Sequence, residues 1–420
     1  MRNLEAVELG LRTALFHDAR HLLESLYANP DLPVPGQAGL PGEKCHPRRP
    51  KEVATLFGTI TLWRPYFYCA ATHEGRAPLD DALGLVRGYS PGLVRLACRA
   101  AARMGFAAAG EELAALAQIA LEGRQIQRLV QLAAPPVAAQ AERLPPAKAA
   151  DPLPLLYVEV DGTGVPMVGA ELAGRAGKQP DGSAKTREVK LGCVFTQTRC
   201  DAEGRPVRDY QSTTYVGSFE SAPEFGARIR AEAVRRGLGR AQQVVLLGDG
   251  AAWIWELARV NFPGAVQIVD LFHALERLHA LCEELEGAGS AAAAHREEEW
   301  VRWLKQDQVD AVIAAARARL VELGRPPDGP LGKQIAYFEH HRDRMLYRSF
   351  HNRGFFCGSG VVEAGCKTVV GQRLKQSGMF WSEPGAHNIL ALRCLLLSHR
   401  WDLCWDRLHQ TPDPSAQAAA

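Results

Sequence analysis

Leu155-Leu156-Tyr157-Val158-Glu159-Val160-Asp161-Gly162-Thr163-Gly164 reads as a buried strand that ends on a carboxylate. Aliphatic, β-branched and aromatic residues suit a pleated, covered surface. The glycine after the aspartate lets backbone or ligand approach closely. Two further strands are expected at about 189–198 and about 212–219, the first followed by the turn Asp201-Ala202-Glu203-Gly204. Connections this short imply antiparallel pairing. Ser221 then opens a helix, with Glu224 three residues on completing a capping box. Val244-Val245-Leu246-Leu247-Gly248 is the next strand and ends at Asp249-Gly250. A short helix through Trp253-Ile254-Trp255 follows. The strand Ala265-Val266-Gln267-Ile268-Val269 then ends at Asp270 and leads into a long helix holding Phe272, His273, Leu275 and Leu278.

Three strands, helix, strand, helix, strand, helix predict an α/β fold with a mixed sheet, in a ribonuclease H-like order. The core is expected over 153–287 and again over 353–407. Helical sequence at 288–352, with Trp300 and Trp303, would interrupt it. Residues 408–420 read as a disordered tail.

Upstream, residues 1–77 combine a helix with a small β unit. Leu4, Val7, Leu11, Ala14 and Leu15 follow the helical period. Residues 51–72 read as strands, with Gly58–Trp63 and Tyr66–Cys69 their clearest parts, after a stretch rich in Pro and Gly over 31–50. Cys45-His46 before this unit, with Cys69 and His73 after it, is a thin version of a zinc knuckle pair, and a plain β unit with incidental thiols is the simpler reading. Residues 78–133 read as helical, with Ser90-Pro91 a good helix start. Residues 110–131 could form a helix-turn-helix with Gly123 as the turn, or an ordinary helical hairpin. Proline and alanine over 134–152 read as a linker.

The bulk numbers exclude little. The 420 residues, 47% hydrophobic, allow two or three domains, and a formal charge of +2 neither demands nor forbids a nucleic-acid partner. No export signal or membrane span stands out, so the ten scattered cysteines read as free thiols of a cytoplasmic protein.

Chemistry is expected at the strand ends, where crevices form in open sheets. Asp161 and Asp249 each end a strand before a glycine. Glu363 lies at a helix start in Gly358-Ser359-Gly360-Val361-Val362-Glu363. Three carboxylates could hold two Mg²⁺ ions about 4 Å apart, one activating an attacking hydroxyl and one the leaving oxygen. Asp249 competes with Asp270 for the second position. It is preferred because the first strand after the three-strand meander should lie beside strand one. Asp270 and His273, one helical turn apart, could orient the site, contact DNA or cap their helix. Lys185, Arg187, Arg373 and Lys375 could hold a phosphate backbone or simply form solvated faces. Trp381 could stack on a base or belong to the core.

Several blocks resemble bacterial insertion-sequence transposases of the ISKra type: Val160-Asp161-Gly162-Thr163-Gly164-Val165-Pro166, Gly174 to Glu188, Leu247-Gly248-Asp249-Gly250-Ala251-Ala252-Trp253-Ile254-Trp255, Phe262 to His273, and 357–381. The resemblance implies a ribonuclease H-like core with an Asp-Asp-Glu triad at Asp161, Asp249 and Glu363. It also implies two Mg²⁺ or Mn²⁺ ions and the cleavage and joining of transposon ends into target double-stranded DNA, by a homo-oligomer assembled on that DNA. Relatives often carry paired Cys-x-x-Cys zinc knuckles, and Cys45-His46 with Cys69 and His73 depart from that pattern. A nuclease without strand transfer and a DNA-binding regulator are the competing functions.

Overall fold

A computed structural model describes residues 3–28, 39–146, 152–172 and 186–408. The chain divides into two compact units, one of residues 1–141 with 400–420 and one of residues 142–399.

The first unit opens with α1 (Leu4–Tyr27), followed by the antiparallel pair β1 (Glu43–Thr55) and β2 (Gly58–Cys69) and the short β3 (Glu74–Arg76). The sequence places the strands of this unit within 51–72, broken near Pro65, and none before residue 51. Instead β2 runs unbroken through Pro65, and β1 carries Pro47 and Pro50. The ladder shifts register between His46 and Arg49, opposite Pro65. A bulge is where a strand can accept residues that lack an N–H donor. Val53, Ile60, Leu62 and Leu79 form a core that Leu23 and Tyr27 of α1 cover.

Helices α2 (Pro78–Ala82), α3 (Pro91–Arg103), α4 (Phe106–Ala117) and α5 (Gly123–Glu142) follow. Ser90 caps α3, and Gly123 begins α5 instead of forming the turn. Gly110 is required by close packing, because a Cβ there would meet the Leu121 carbonyl oxygen at 2.4 Å. The linker expected from residue 134 is helix as far as Glu142, and Pro135 and Pro136 lie inside it. Each interior proline costs about 3 kcal/mol. Buried Val130, Ala133, Ala134 and Val137 along the same helix offset that cost. Of the remaining linker residues, 147–151 lie outside the described residues, as does the tail from 409. The helix α16 (Trp401–Leu408), expected in the second unit, belongs to the first, where Arg95 pairs with Asp402 and Asp406.

The second unit is built on β4 (Leu153–Pro166), β5 (Thr186–Gln197), the small hairpin β6 (Arg199–Cys200) and β7 (Pro206–Val207), β8 (Thr214–Ser218), β9 (Ala241–Gly248) and β10 (Val266–Val269). The main sheet has the order β10-β9-β4-β5-β8. β4, β5 and β8 are antiparallel, while β9 and β10 run parallel to β4. This mixed sheet is consistent with a ribonuclease H-like α/β fold. Its helices are α6 (Ala222–Arg236), α7 (Ala252–Asn261), α8 (Leu271–Glu286), α9 (Ala291–Lys305), α10 (Val309–Glu322), α11 (Pro330–His341), α12 (Tyr347–Asn352), α13 (Gly360–Gly365), α14 (Gln372–Leu374) and α15 (Glu383–Leu397). A π-helical turn, Cys366–Gly371, joins α13 to α14.

Both faces of the sheet are covered. A Cβ on Gly192 would strike Ile229 and Phe225 of α6, and one on Gly217 would strike Leu390 of α15. Gly217 pairs with Leu191, so α15 covers the face that Leu191 shares with its other partner, Asp161. Tyr157 and Phe195, a cross-strand pair on that face, stack at 4.8 Å.

Candidate metal centre

Register places three aspartates in a row. The β4–β9 ladder reaches Glu159 opposite Leu247, and Asp161 and Asp249 each follow two residues later. On the other flank Val269 pairs with Gly248, and the Asp270 N–H donates to the Gly248 carbonyl at 2.8 Å. Asp161, Asp249 and Asp270 therefore stand at the same end of three adjacent parallel strands. Side chains alternate along a strand, so Glu159 shares a face with Asp161. The face that carries Leu191 also meets α13, since a Cβ on Gly365 would strike Leu191 and Tyr215. α13 is the helix that supplies Glu363.

The hydrogen bonds show how each acid is held. Asp161 Oδ1 accepts the Gly162 N–H at 2.7 Å, and its Oδ2 accepts the Cys366 thiol at 3.3 Å, from the first residue of the π turn. Asp249 Oδ1 accepts the Ala251 N–H at 2.9 Å. Asp270 Oδ1 caps α8 through the His273 N–H at 2.8 Å and lies 3.2 Å from His273 Nδ1. Its Oδ2 accepts both the N–H and the hydroxyl of Ser359, at 2.5 and 3.0 Å, and that hydroxyl lies 2.9 Å from Glu363 Oε1.

Electrostatics tie these groups together. Burial raises the Asp161 pKa. The Cys366 and Gly162 hydrogen bonds oppose this, Asp249 adds to it, and His273 lowers it. Burial alone would depress His273, but its hydrogen bond to Asp270 and the charges of Asp270 and Asp249 outweigh that and raise it.

Asp270, His273 and Glu363 offer ligand atoms that all lie within 4.8 Å of one another, and no other such cluster occurs among the described residues. The cluster provides one potential metal site. Sequence reasoning had expected Asp161, Asp249 and Glu363 to converge, with Asp270 and His273 in support. Glu363 is instead grouped with those two supporters, and Asp161 and Asp249 adjoin the group through the sheet register. Asp270 is fully buried, and its two oxygens already serve four nearby donor groups. That leaves it few lone pairs for a cation, whereas His273 and Glu363 are only half-buried.

Sequence reasoning missed Glu159 and Ser359. Glu159 has no exposure, accepts the Val362 N–H at 2.8 Å through Oε2, and leaves Oε1 without a hydrogen-bond partner. Burial pushes its pKa up to about 8, with Asp270 and Glu363 adding to the effect. The strand period that puts it on the Asp161 face was a usable signal.

Among the other candidate residues, Arg187, Arg373 and Trp381 have partners within the fold. The Arg187 guanidinium pairs with Glu383. Arg373 is buried with its guanidinium 4.9 Å over the Trp381 ring, and burial lowers its pKa to about 10. The Trp381 indole donates to the Leu374 carbonyl at 3.0 Å, so the core alternative describes it and base stacking does not. Lys375 is exposed and donates to Thr163 Oγ1, two residues past Asp161. Lys185 lies outside the described residues. Cys45 and His46 are successive strand residues pairing with Phe67 and Tyr66, and Cys69 pairs with Glu43. His73 contacts the Tyr68 hydroxyl at 3.2 Å. These four form no ligand cluster among the described residues.

A mixed sheet with acids at adjacent strand ends and a helix-borne glutamate thus presents a candidate metal centre. No family model matches the chain, and no curated protein does. Among solved structures, it is similar to a chain of the Drosophila P element transposase strand transfer complex. That likeness has 8% identity and a TM-score of 0.39, over 75% of this chain and 93% of the other. At that level it carries no argument about this chain. No helix among the described residues is long and apolar enough to cross a membrane.

Proposed function

We propose that the chain is a DNA transposase that cleaves and rejoins phosphodiesters with Asp161, Asp249 and Glu363 as its acidic triad. The observation that carries this reading is the row of carboxylates at the β4 and β9 ends, beside a glutamate delivered by α13. Three half-buried carboxylates suit hard divalent cations such as Mg²⁺ or Mn²⁺, and the imidazole beside them is a softer donor that Mn²⁺ accepts more readily than Mg²⁺. The raised Asp161 pKa is what a carboxylate crowded by burial and by another acid would show before a cation joins it. Asp161, Asp249 and Glu363 would hold the ions, His273 would complete or orient the set, and Asp270 would fix the imidazole. Bound ions would supply an activated oxygen nucleophile and stabilise the leaving oxygen. Lys375 beside Thr163 would hold a strand phosphate near Asp161. Partners would be transposon-end and target double-stranded DNA, with a homo-oligomer assembled on the ends.

The test is a cleavage and joining assay with Mn²⁺ on DNA bearing the element's own ends. Asp161→Asn should abolish cleavage and keep DNA binding, and cleavage at the parental rate would sink the triad. Cut ends without joined products would favour a nuclease.

A further inference from the structure

A cavity of about 630 Å³ opens beside the Asp249-Gly250 turn and takes its walls from α7 and α11. Its lining includes Arg259, Lys333, His340 and Arg344, with Glu256 as the only carboxylate, and Glu256 is already paired with Arg259 at 2.6 Å. Arg344 is half-buried, and its hydrogen bonds go to neutral groups: Gln267 Oε1 at 2.8 Å and the His340 carbonyl at 3.1 Å. Its Nη1 also lies 3.3 Å from Nδ1 of His341, another residue of the lining. Lys333 is exposed, and neither it nor Arg344 has a salt bridge among the described residues.

Taking a guanidinium partly out of water without a counter-ion is costly, and an anion with several acceptor oxygens would offset that cost. Burial lowers the Arg344 pKa against the opposing charge of Asp343, and the guanidinium lies 4.7 Å over the Trp255 ring with no carboxylate in salt-bridge contact among the described residues. The cavity also reaches the carboxylates through a defined link. The Tyr337 hydroxyl donates to the Asp249 carbonyl at 3.1 Å, and Gly250, at φ 101°, leaves room for that ring.

We propose that this cavity is a phosphate-binding site, with Arg344 and Lys333 as its main cations and His340 and Arg259 at its edge. That the phosphate belongs to a strand lying across the carboxylates rests on the proposed function. The phosphate chemistry itself does not.

The test uses the full chain in EDTA, so that no divalent cation contributes. Orthophosphate, thymidine monophosphate and a labelled DNA duplex are titrated against the parent, Lys333→Glu and Arg344→Gln, and unfolding midpoints establish that each variant is folded. Lys333→Glu lies on the surface and keeps the test valid if Arg344→Gln does not fold. The site predicts roughly tenfold weaker binding per variant, the size of one charged hydrogen bond. For the duplex, the slope of log affinity against log salt should fall by about one. Loss confined to orthophosphate or the mononucleotide supports the site with a free phosphate compound as its ligand. Loss that includes the duplex supports it with strand phosphate. Parental affinity of the folded variants for all three probes overturns the proposal. Mn²⁺ binding by Asp249→Asn, measured separately, reports on the carboxylate reading alone.

Discussion

Glu159→Gln should flatten the pH dependence of stability. Glu159 is fully buried, and burial raises its pKa from 4.5 in the unfolded chain to about 8 in the fold. Between those values the folded state keeps a proton that the unfolded state has released. Stability from this group is therefore fully present below pH 4.5 and falls as pH rises, by about 1.4 kcal/mol per pH unit. The loss is complete above pH 8 and totals about 5 kcal/mol. Glutamine keeps an acceptor for the Val362 N–H at 2.8 Å but cannot ionise. Its buried NH₂ adds a cost that does not vary with pH. The decisive quantity is thus the change with pH of the difference between parent and variant. Denaturant midpoints of both proteins at pH 5, 6.5 and 8 measure it, with other titrating groups cancelling in the difference. The variant should gain on the parent at each step up in pH. A constant difference across that range would refute the buried, protonated state of Glu159.

Mn²⁺ affinity, followed by calorimetry, should rise with pH through and beyond 6.5, because the raised pKa values of Asp161 and His273 make protons compete with the cation. His273→Ala should shift that dependence to lower pH, and an affinity that falls with pH would contradict the site. Without metal the sign for His273 is opposite: its stabilisation is full below pH 6.5 and is lost as pH rises through its raised value. Gly250→Ala should lower stability by about 1–3 kcal/mol in a denaturant melt, since φ is 101° and the new Cβ would lie 2.6 Å from the Tyr337 hydroxyl. Ser359→Ala removes the donor shared by Asp270 and Glu363. It should cost about 1–3 kcal/mol of stability and weaken Mn²⁺ binding, and an unchanged metal isotherm would detach Ser359 from the centre.

The sheet was legible because its strands have apolar centres and are separated by recognisable turns. Val244–Gly248 and Ala265–Val269 announce themselves through composition, and the order of elements leaves few ways to pair them. The first unit was harder to read, because β1 is rich in charge and proline and its strand character comes from its partner: Glu43 to Thr55 are extended since β2 lies beside them. The continuation of α5 through Pro135-Pro136 has the same kind of cause, a buried face stronger than a local preference.

The candidate site was legible only in part for a related reason. Sequence can find acids at strand ends, but which ligand atoms meet depends on rotamers fixed by distant groups. Ser359 binds Asp270 and Glu363 together, and both serine and glutamate arrive from beyond the helical stretch that holds α9 to α12. Cap chemistry decides the rest. Asp270 is tied down by its own helix and by Ser359, whereas Asp161 and Asp249 each receive one short backbone bond from a residue close in sequence, and Asp161 adds a single thiol contact. A carboxylate with fewer fixed partners can turn toward a cation with less loss. On that ground we propose Asp161 and Asp249 as the first ligands and Asp270 as the residue that positions His273.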